Sequence, residues 1–114
     1  MTISALNSGI SALRAFESAL DSSAHNVANA STNNFKPQIA SFQENANGGV
    51  IVNISQASKA LSAQSNEAFG NQLSGTDLGT EITDSLQYKI GFQIAAKLVK
   101  TSDEVLDTLI NLKK

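Results

Sequence analysis

Few side chains in this chain are of the types that perform chemistry. His25 is the only histidine and cysteine is absent, so no set of thiolate and imidazole ligands for zinc can form. Asp103, Glu104 and Asp107 are neighbouring carboxylates of the kind used in acid–base catalysis. They lie on a helical stretch beside Lys97 and Lys100, and Lys100 precedes Asp103 by three residues and Glu104 by four, so surface charge pairing explains them. Since no nucleophile, phosphate-binding loop or dinucleotide motif is recognisable, we expect no enzyme, no cofactor and no metal.

Composition limits the remaining functions. The chain has 114 residues, enough for one domain, and a formal charge of −2. No cluster of basic residues interleaves with aromatic ones, so nucleic acid is not expected as a partner. Aromatic residues make up only 5% of the chain, which argues against an apolar pocket for a small-molecule substrate. The first ten residues lack the pattern of a cleaved secretory signal, and no apolar run of about 18 residues predicts direct membrane insertion.

The first region, residues 1–36, predicts one long helix. Its apolar residues recur at steps of three and four, which is a heptad stripe along one helix face. The stripe consists of Ile3, Leu6, Ile10, Leu13, Leu20, Ala24 and Val27, and it is broken only where Glu17 takes the seam position. Asparagines then accumulate before Pro37, which cannot continue a helix, so we expect the helix to end between Ala28 and Lys36.

The second region, residues 37–75, is a polar connector rich in Asn, Ser, Gln and Gly. Asn47, Gly48 and Gly49 precede a run of β-branched residues, which predicts a turn followed by a short strand over residues 50–54. Residues 57–69 have only a thin apolar stripe, and we expect an extended or partly disordered connector there.

The third region, residues 76–114, predicts a second long helix with Thr76, Asp77 or Thr80 as its N-cap. Early acidic residues and the late Lys113 and Lys114 suit the helix dipole. A first stripe follows heptad spacing through Tyr88, Gly91, Ala95, Leu98, Ser102, Val105, Leu109 and Leu112. A second stripe beside it contains Phe92, Val99, Leu106 and Ile110.

These regions predict a mainly α fold in which 1–36 and 76–114 form one antiparallel coiled-coil domain, with a small β element in the connector. A two-helix hairpin buries one seam, so we expect the second stripe to remain exposed and to mark a protein interface. One alternative is a small α+β domain in which the connector covers both stripes. Another is a small helical adaptor or export chaperone that binds one partner through an exposed apolar stripe.

Two segments resemble the flagellar basal-body rod and hook family. Residues 20–36 are similar to its N-terminal signature, approximately L-D-x-x-A-N-N-x-A-N-x-x-T-x-G-F-K, with the motif and turn residues Asn26, Asn29, Thr32, Asn34 and Phe35. Residues 92–112 are similar to its C-terminal segment, approximately Y-x-x-N-x-K-x-[IV]-x-T-x-D-E-x-[LM]-x-x-L-[IL]-x-[IL]. The chain departs from these patterns at His25, Asn34 and Ala95, where the family usually has Asn, Gly and Asn.

The resemblance implies a structural subunit of the flagellar basal-body rod, most similar to a short proximal-rod subunit. It implies a hollow helical assembly that transmits torque, formed with copies of itself and with other axial rod and hook subunits. It also implies export through the flagellar type III apparatus without a cleaved signal peptide, and a location in the periplasmic rod of the basal body.

Overall fold

A computed structural model describes residues 2–56 and 73–112. It contains α1 (Thr2–Ala28), β1 (Gln38–Glu44), β2 (Val50–Gln56) and α2 (Leu78–Leu112), in that order. The two helices pack together and the strands form a two-stranded antiparallel sheet in the connector, so the predicted fold class is confirmed. The expected connector over residues 57–69 and the terminal Lys113 and Lys114 lie outside the described residues.

The helices begin and end where local chemistry requires it. Asp77 is the N-cap of α2, because its Oδ1 accepts hydrogen bonds from the backbone N–H of Gly79 at 3.0 Å and of Thr80 at 3.5 Å. Glu81 in the first turn adds a negative charge where the helix dipole favours one. The α1 helix ends at Ala28, inside the interval expected from the asparagine-rich segment before Pro37.

Small residues set the closeness of the antiparallel helix pair. A Cβ added at Gly91 would lie 2.5 Å from the Phe16 ring, and one added at Gly9 would lie 2.7 Å from Val99 Cγ2. Each helix therefore has one glycine notch that receives a large side chain of the other helix. Among the described residues, the buried apolar side chains are all alanines, namely Ala15, Ala19 and Ala95.

The β-hairpin lies on α1. Its register pairs Phe42 with Val52 and Ala40 with Ile54, which puts these apolar side chains on the same face of the sheet. The Phe42 ring lies 5.2 Å from Phe16 of α1 and 5.7 Å from Tyr88 of α2, measured between ring centroids. The aromatic contacts thus join the hairpin to both helices.

The turn and second strand agree with the sequence expectation, and the first strand was missed. Gly48 and Gly49 both have a φ of 90°, a backbone conformation that favours glycine, in the turn before β2. The segment of β1 reads Gln-Ile-Ala-Ser-Phe-Gln-Glu and has no strong strand pattern of its own. It becomes a strand because β2 and α1 satisfy its backbone.

Candidate functional site

Asn26 in the motif is the centre of a three-way junction. Its side chain is 1% exposed. The backbone N–H of Gln38 donates to Asn26 Oδ1 at 2.7 Å, and Asn26 Nδ2 donates to the Gln38 carbonyl at 2.8 Å. Nδ2 also donates to Glu81 Oε1 at 2.8 Å. One buried amide therefore joins the end of α1, the start of β1 and the first turn of α2, with its own polar atoms satisfied.

The α2 side of this junction is a set of hydrogen bonds around Glu81. Ser23 Oγ donates to Glu81 Oε2 at 2.8 Å and also lies 2.6 Å from Ser85 Oγ. Thr76 Oγ1 donates to the backbone carbonyl of Asn26 at 3.2 Å. The carboxylate of Glu81 is thus held by uncharged donors from two residues of α1, which fixes the start of α2 against the end of α1.

The other motif residues build the turn that follows α1. Asn29 Nδ2 donates to the carbonyl of His25 at 2.9 Å, and Thr32 Oγ1 donates to Asn29 Oδ1 at 3.1 Å. Asn34 has a φ of 64°, a left-handed conformation that Asn tolerates better than most residues. Phe35 contacts the ring of His25 edge-on, with 5.4 Å between centroids. These bonds redirect the chain from α1 towards β1.

A second contact at the far end of the hairpin mirrors the Asn26 contact. Ser11 Oγ accepts a hydrogen bond from the N–H of Val50 at 2.9 Å and donates to the Val50 carbonyl at 2.6 Å. The hydrogen bond from the Asn45 N–H to the Gly49 carbonyl makes these two residues a hydrogen-bonded pair. Hydrogen-bonded and non-hydrogen-bonded pairs alternate along an antiparallel ladder, so the backbone groups of the next residue, Val50, point away from β1. By the same alternation Gln38 points away from β2. The side chains of Asn26 and Ser11 therefore each satisfy the backbone groups of one strand residue that points away from the neighbouring strand. These two strand residues, Gln38 and Val50, lie at opposite corners of the hairpin.

A groove of about 310 Å³ runs beside the Asn26 junction, between the end of α1, β1 and the first turns of α2. Burial raises the pKa of the Tyr88 phenol above its ordinary value, and the carboxylates of Asp84 and Glu81 raise it further.

The hydroxyl of Ser22 is buried with no hydrogen-bond partner among the described residues. Within those residues, no three acidic, His or Cys side chains are grouped to hold a metal.

The predicted stripe of α1 is only partly covered. Leu6, Ile10, Leu13 and Leu20 are half-buried, while Ile3 and Val27 are exposed. The described helices include none that is both long and apolar enough to span a bilayer.

On α2 the structure divides each stripe between the helix contact and the surface. In the first stripe Ala95 and Ser102 are buried and Tyr88 and Gly91 are half-buried, while the remaining large residues are 44–76% exposed, namely Leu98, Val105, Leu109 and Leu112. In the second stripe Val99 and Leu106 are half-buried, while Phe92 and Ile110 are exposed. The expectation that the second stripe as a whole stays exposed is therefore wrong, because Val99 fits the notch at Gly9 while Phe16 of α1 fits the notch at Gly91 of the first stripe. The role of either stripe in assembly remains a prediction.

The structure also exposes an apolar row that the heptad pattern did not reveal. It runs along the N-terminal half of α2 at intervals of four residues, through Leu78, Ile82, Leu86, Ile90 and Ile94. Each side chain is about half exposed, from 47% to 62%. The sequence signal for this row is its constant interval of four residues, which differs from the alternating steps of three and four in a coiled-coil seam.

Comparison with known proteins gives the family. The profile described as "Flagella basal body rod protein" matches residues 6–36, and the profile described as "Flagellar basal body rod FlgEFG protein C-terminal" matches residues 72–112. Together they cover more than half of the chain, including Asn26, Glu81 and all of α2, while Gln38 of the junction lies between the two matches. The chain belongs to the flagellar basal-body rod and hook family. The family resemblance of the two terminal segments is thereby confirmed.

Two members of the rod and hook family show local similarity. The flagellar basal-body rod protein FlgG of Bacillus subtilis (strain 168) is 42% identical over 43 residues, which cover 38% of this chain and 16% of that protein. The flagellar hook protein FlgE of Treponema pallidum (strain Nichols) is also 42% identical over 43 residues, covering 38% of this chain and 9% of that protein. The aligned part is therefore a small fraction of either relative's length.

Proposed function

We propose that this chain is a structural subunit of the flagellar basal-body rod, which assembles with copies of itself and with other axial subunits. Membership of the family supports a structural role in the basal body. Subunits of this kind would leave the cell through the flagellar type III apparatus and form a hollow helical assembly in the periplasm. Lateral contacts between helices would then transmit torque.

The observation that carries this proposal is the mismatch between buried and exposed apolar side chains. Among the described residues the buried apolar side chains are alanines, while most large aliphatic side chains of α2 remain about half exposed. Exposed apolar surfaces of this extent are characteristic of protein interfaces. A folded state of this kind gains stability by mass action when a partner covers the surface.

Circular dichroism with light scattering across a concentration series tests the proposal. We expect helicity and particle mass to rise together with concentration, because association stabilises the helices. A fully helical monomer at every concentration, with or without other axial subunits, would contradict the proposal. A small oligomer of fixed size with one partner would instead favour the adaptor or export chaperone.

A further inference from the structure

Most exposed apolar residues of α2 lie on two adjoining surfaces with different geometry. The first, the ridge, contains Leu78, Ile82, Leu86, Ile90 and Ile94. Steps of four residues advance by about 40° each around an α-helix, so the ridge winds across the back of α2 through roughly 160°. The second, the distal face, contains Leu98, Val105, Leu109 and Leu112. Its steps are combinations of three and four residues, so it runs nearly straight along the helix.

One straight neighbour cannot cover both surfaces. The ridge winds around α2 and the distal face stays straight, so the two surfaces point in different directions. The α1 helix already occupies a third side of α2. The chain exposes 8187 Å², whereas a compact monomer of its mass would expose roughly 5,900 Å². The surplus exceeds the roughly 800 Å² that one partner contributes to a standard interface. This surplus belongs to the whole elongated chain, so exposed area does not limit the chain to a single neighbour.

The two surfaces fit each other better than either fits itself. Two ridges of four-residue spacing pack at a crossing angle of about −50°, which limits contact to a short stretch. A four-residue ridge packed into the grooves between three-residue rows crosses at about +20°, which permits a long contact. The distal face offers such rows, since Leu109 and Leu112 are three residues apart and Thr101 follows Leu98 by three. The outer side of α1 is less suitable, because it carries Arg14, Glu17 and Asp21.

We propose that the occupant of the ridge is the distal face of a second copy of this chain. This inference rests on the proposed assembly and specifies its contact. The centres of the two surfaces are separated by about 20 residues of α2, so neighbouring copies would be offset by roughly 30 Å along the helix. Because the contact joins two different surfaces, a copy bound through its ridge still has a free distal face, and the assembly is open-ended where the rotation between copies does not close a ring.

Two variants with different blocked surfaces test this contact. Leu86→Glu blocks the ridge and Leu109→Glu blocks the distal face, and Glu is a good helix former at both positions. Gln87→Glu and Asn111→Glu are matched controls, since both residues are exposed and lie beside the changed leucines but outside the two surfaces. Ile82→Glu and Val105→Glu provide a second pair. Circular dichroism at a dilution where the wild type is itself monomeric selects the variants whose helicity matches that of the wild-type monomer.

Sedimentation velocity of each protein alone and of equimolar mixtures gives the answer. We expect the wild type and both controls to form large particles and each leucine variant to remain a monomer. A mixture of the two variants should form a dimer and stop there, because only one intact ridge and one intact distal face can meet. A dimer of either variant alone would show that like surfaces pair, and a mixture that stays monomeric would also overturn the contact. A monomeric wild type would overturn self-association but leave assembly with other axial subunits open.

Discussion

At the scale of single residues, Asn26 should contribute more to stability than the other motif asparagines. Replacing it by alanine leaves both backbone groups of Gln38 and one oxygen of Glu81 without their partner. Buried polar groups that lose their partner typically cost about 1–3 kcal/mol each. We therefore expect Asn26→Ala to lower the free energy of unfolding by about 2–4 kcal/mol in urea denaturation at a fixed protein concentration.

Asn29→Ala is the matched control for that measurement. Asn29 lies in the same motif, but its side chain makes local, solvent-exposed bonds to His25 and Thr32. Its replacement should cost no more than about 0.5–1 kcal/mol. Equal losses for the two variants would show that Asn26 acts only as a local helix stop.

Ser22 and Ser23 are adjacent residues with opposite expected effects. The Ser22 hydroxyl is buried with no hydrogen-bond partner among the described residues, so Ser22→Ala should raise the free energy of unfolding or leave it unchanged. Ser23 holds Glu81 and Ser85, so Ser23→Ala should lower it by about 1–2 kcal/mol. Thermal melts at one concentration should give a melting temperature at or above that of the wild type for Ser22→Ala and below it for Ser23→Ala. A large loss of stability in Ser22→Ala would indicate an additional partner for that hydroxyl.

At the scale of elements, the glycine notches determine how closely the helices approach. Gly91→Ala adds a methyl group where the Phe16 ring lies, and overpacking of this kind typically costs about 1–3 kcal/mol. Gly79→Ala is the control, because its nearest atom is Asp77 Oδ1 at 3.4 Å and alanine favours helix. We expect urea denaturation to show a loss for the first variant and none for the second. Restoration of stability in a double variant with Phe16→Leu would assign the loss to this contact; a loss that persists would point to another cause.

The elements also show which parts of the fold were readable from the sequence. Both helices, the glycine turn and β2 could be predicted because their signals are local periodicity, caps and turn residues. The strand β1 could not, since its own residues have no strong strand pattern and its formation depends on the Asn26 side chain and on pairing with β2. The division of α2 into covered and exposed sides was also unreadable. It depends on which of two adjacent stripes meets the notch at Gly9, and both stripes satisfy the heptad pattern.

At the scale of the whole molecule, the shape is that of an element of a larger structure. The Cα atoms extend over 73 × 25 × 14 Å, and the radius of gyration is 19.2 Å, against about 13 Å for a compact chain of this length. A body this thin cannot surround large side chains with its own atoms, which explains why small residues occupy its interior. On the proposed assembly, stability and association would both depend on the exposed surface of α2.

Temperature and salt distinguish apolar assembly from charge-driven assembly. The ridge and distal face are aliphatic, so their burial is driven by a hydrophobic effect that weakens on cooling and strengthens with sulfate. We expect light scattering at fixed concentration to fall when the sample is cooled to about 4 °C, to recover on warming, and to rise when sulfate is added. Moderate sodium chloride should change it little, although the same salt screens exposed charges strongly. Dissociation by sodium chloride without any response to cooling would indicate that charged side chains, and not the aliphatic surfaces of α2, hold the copies together.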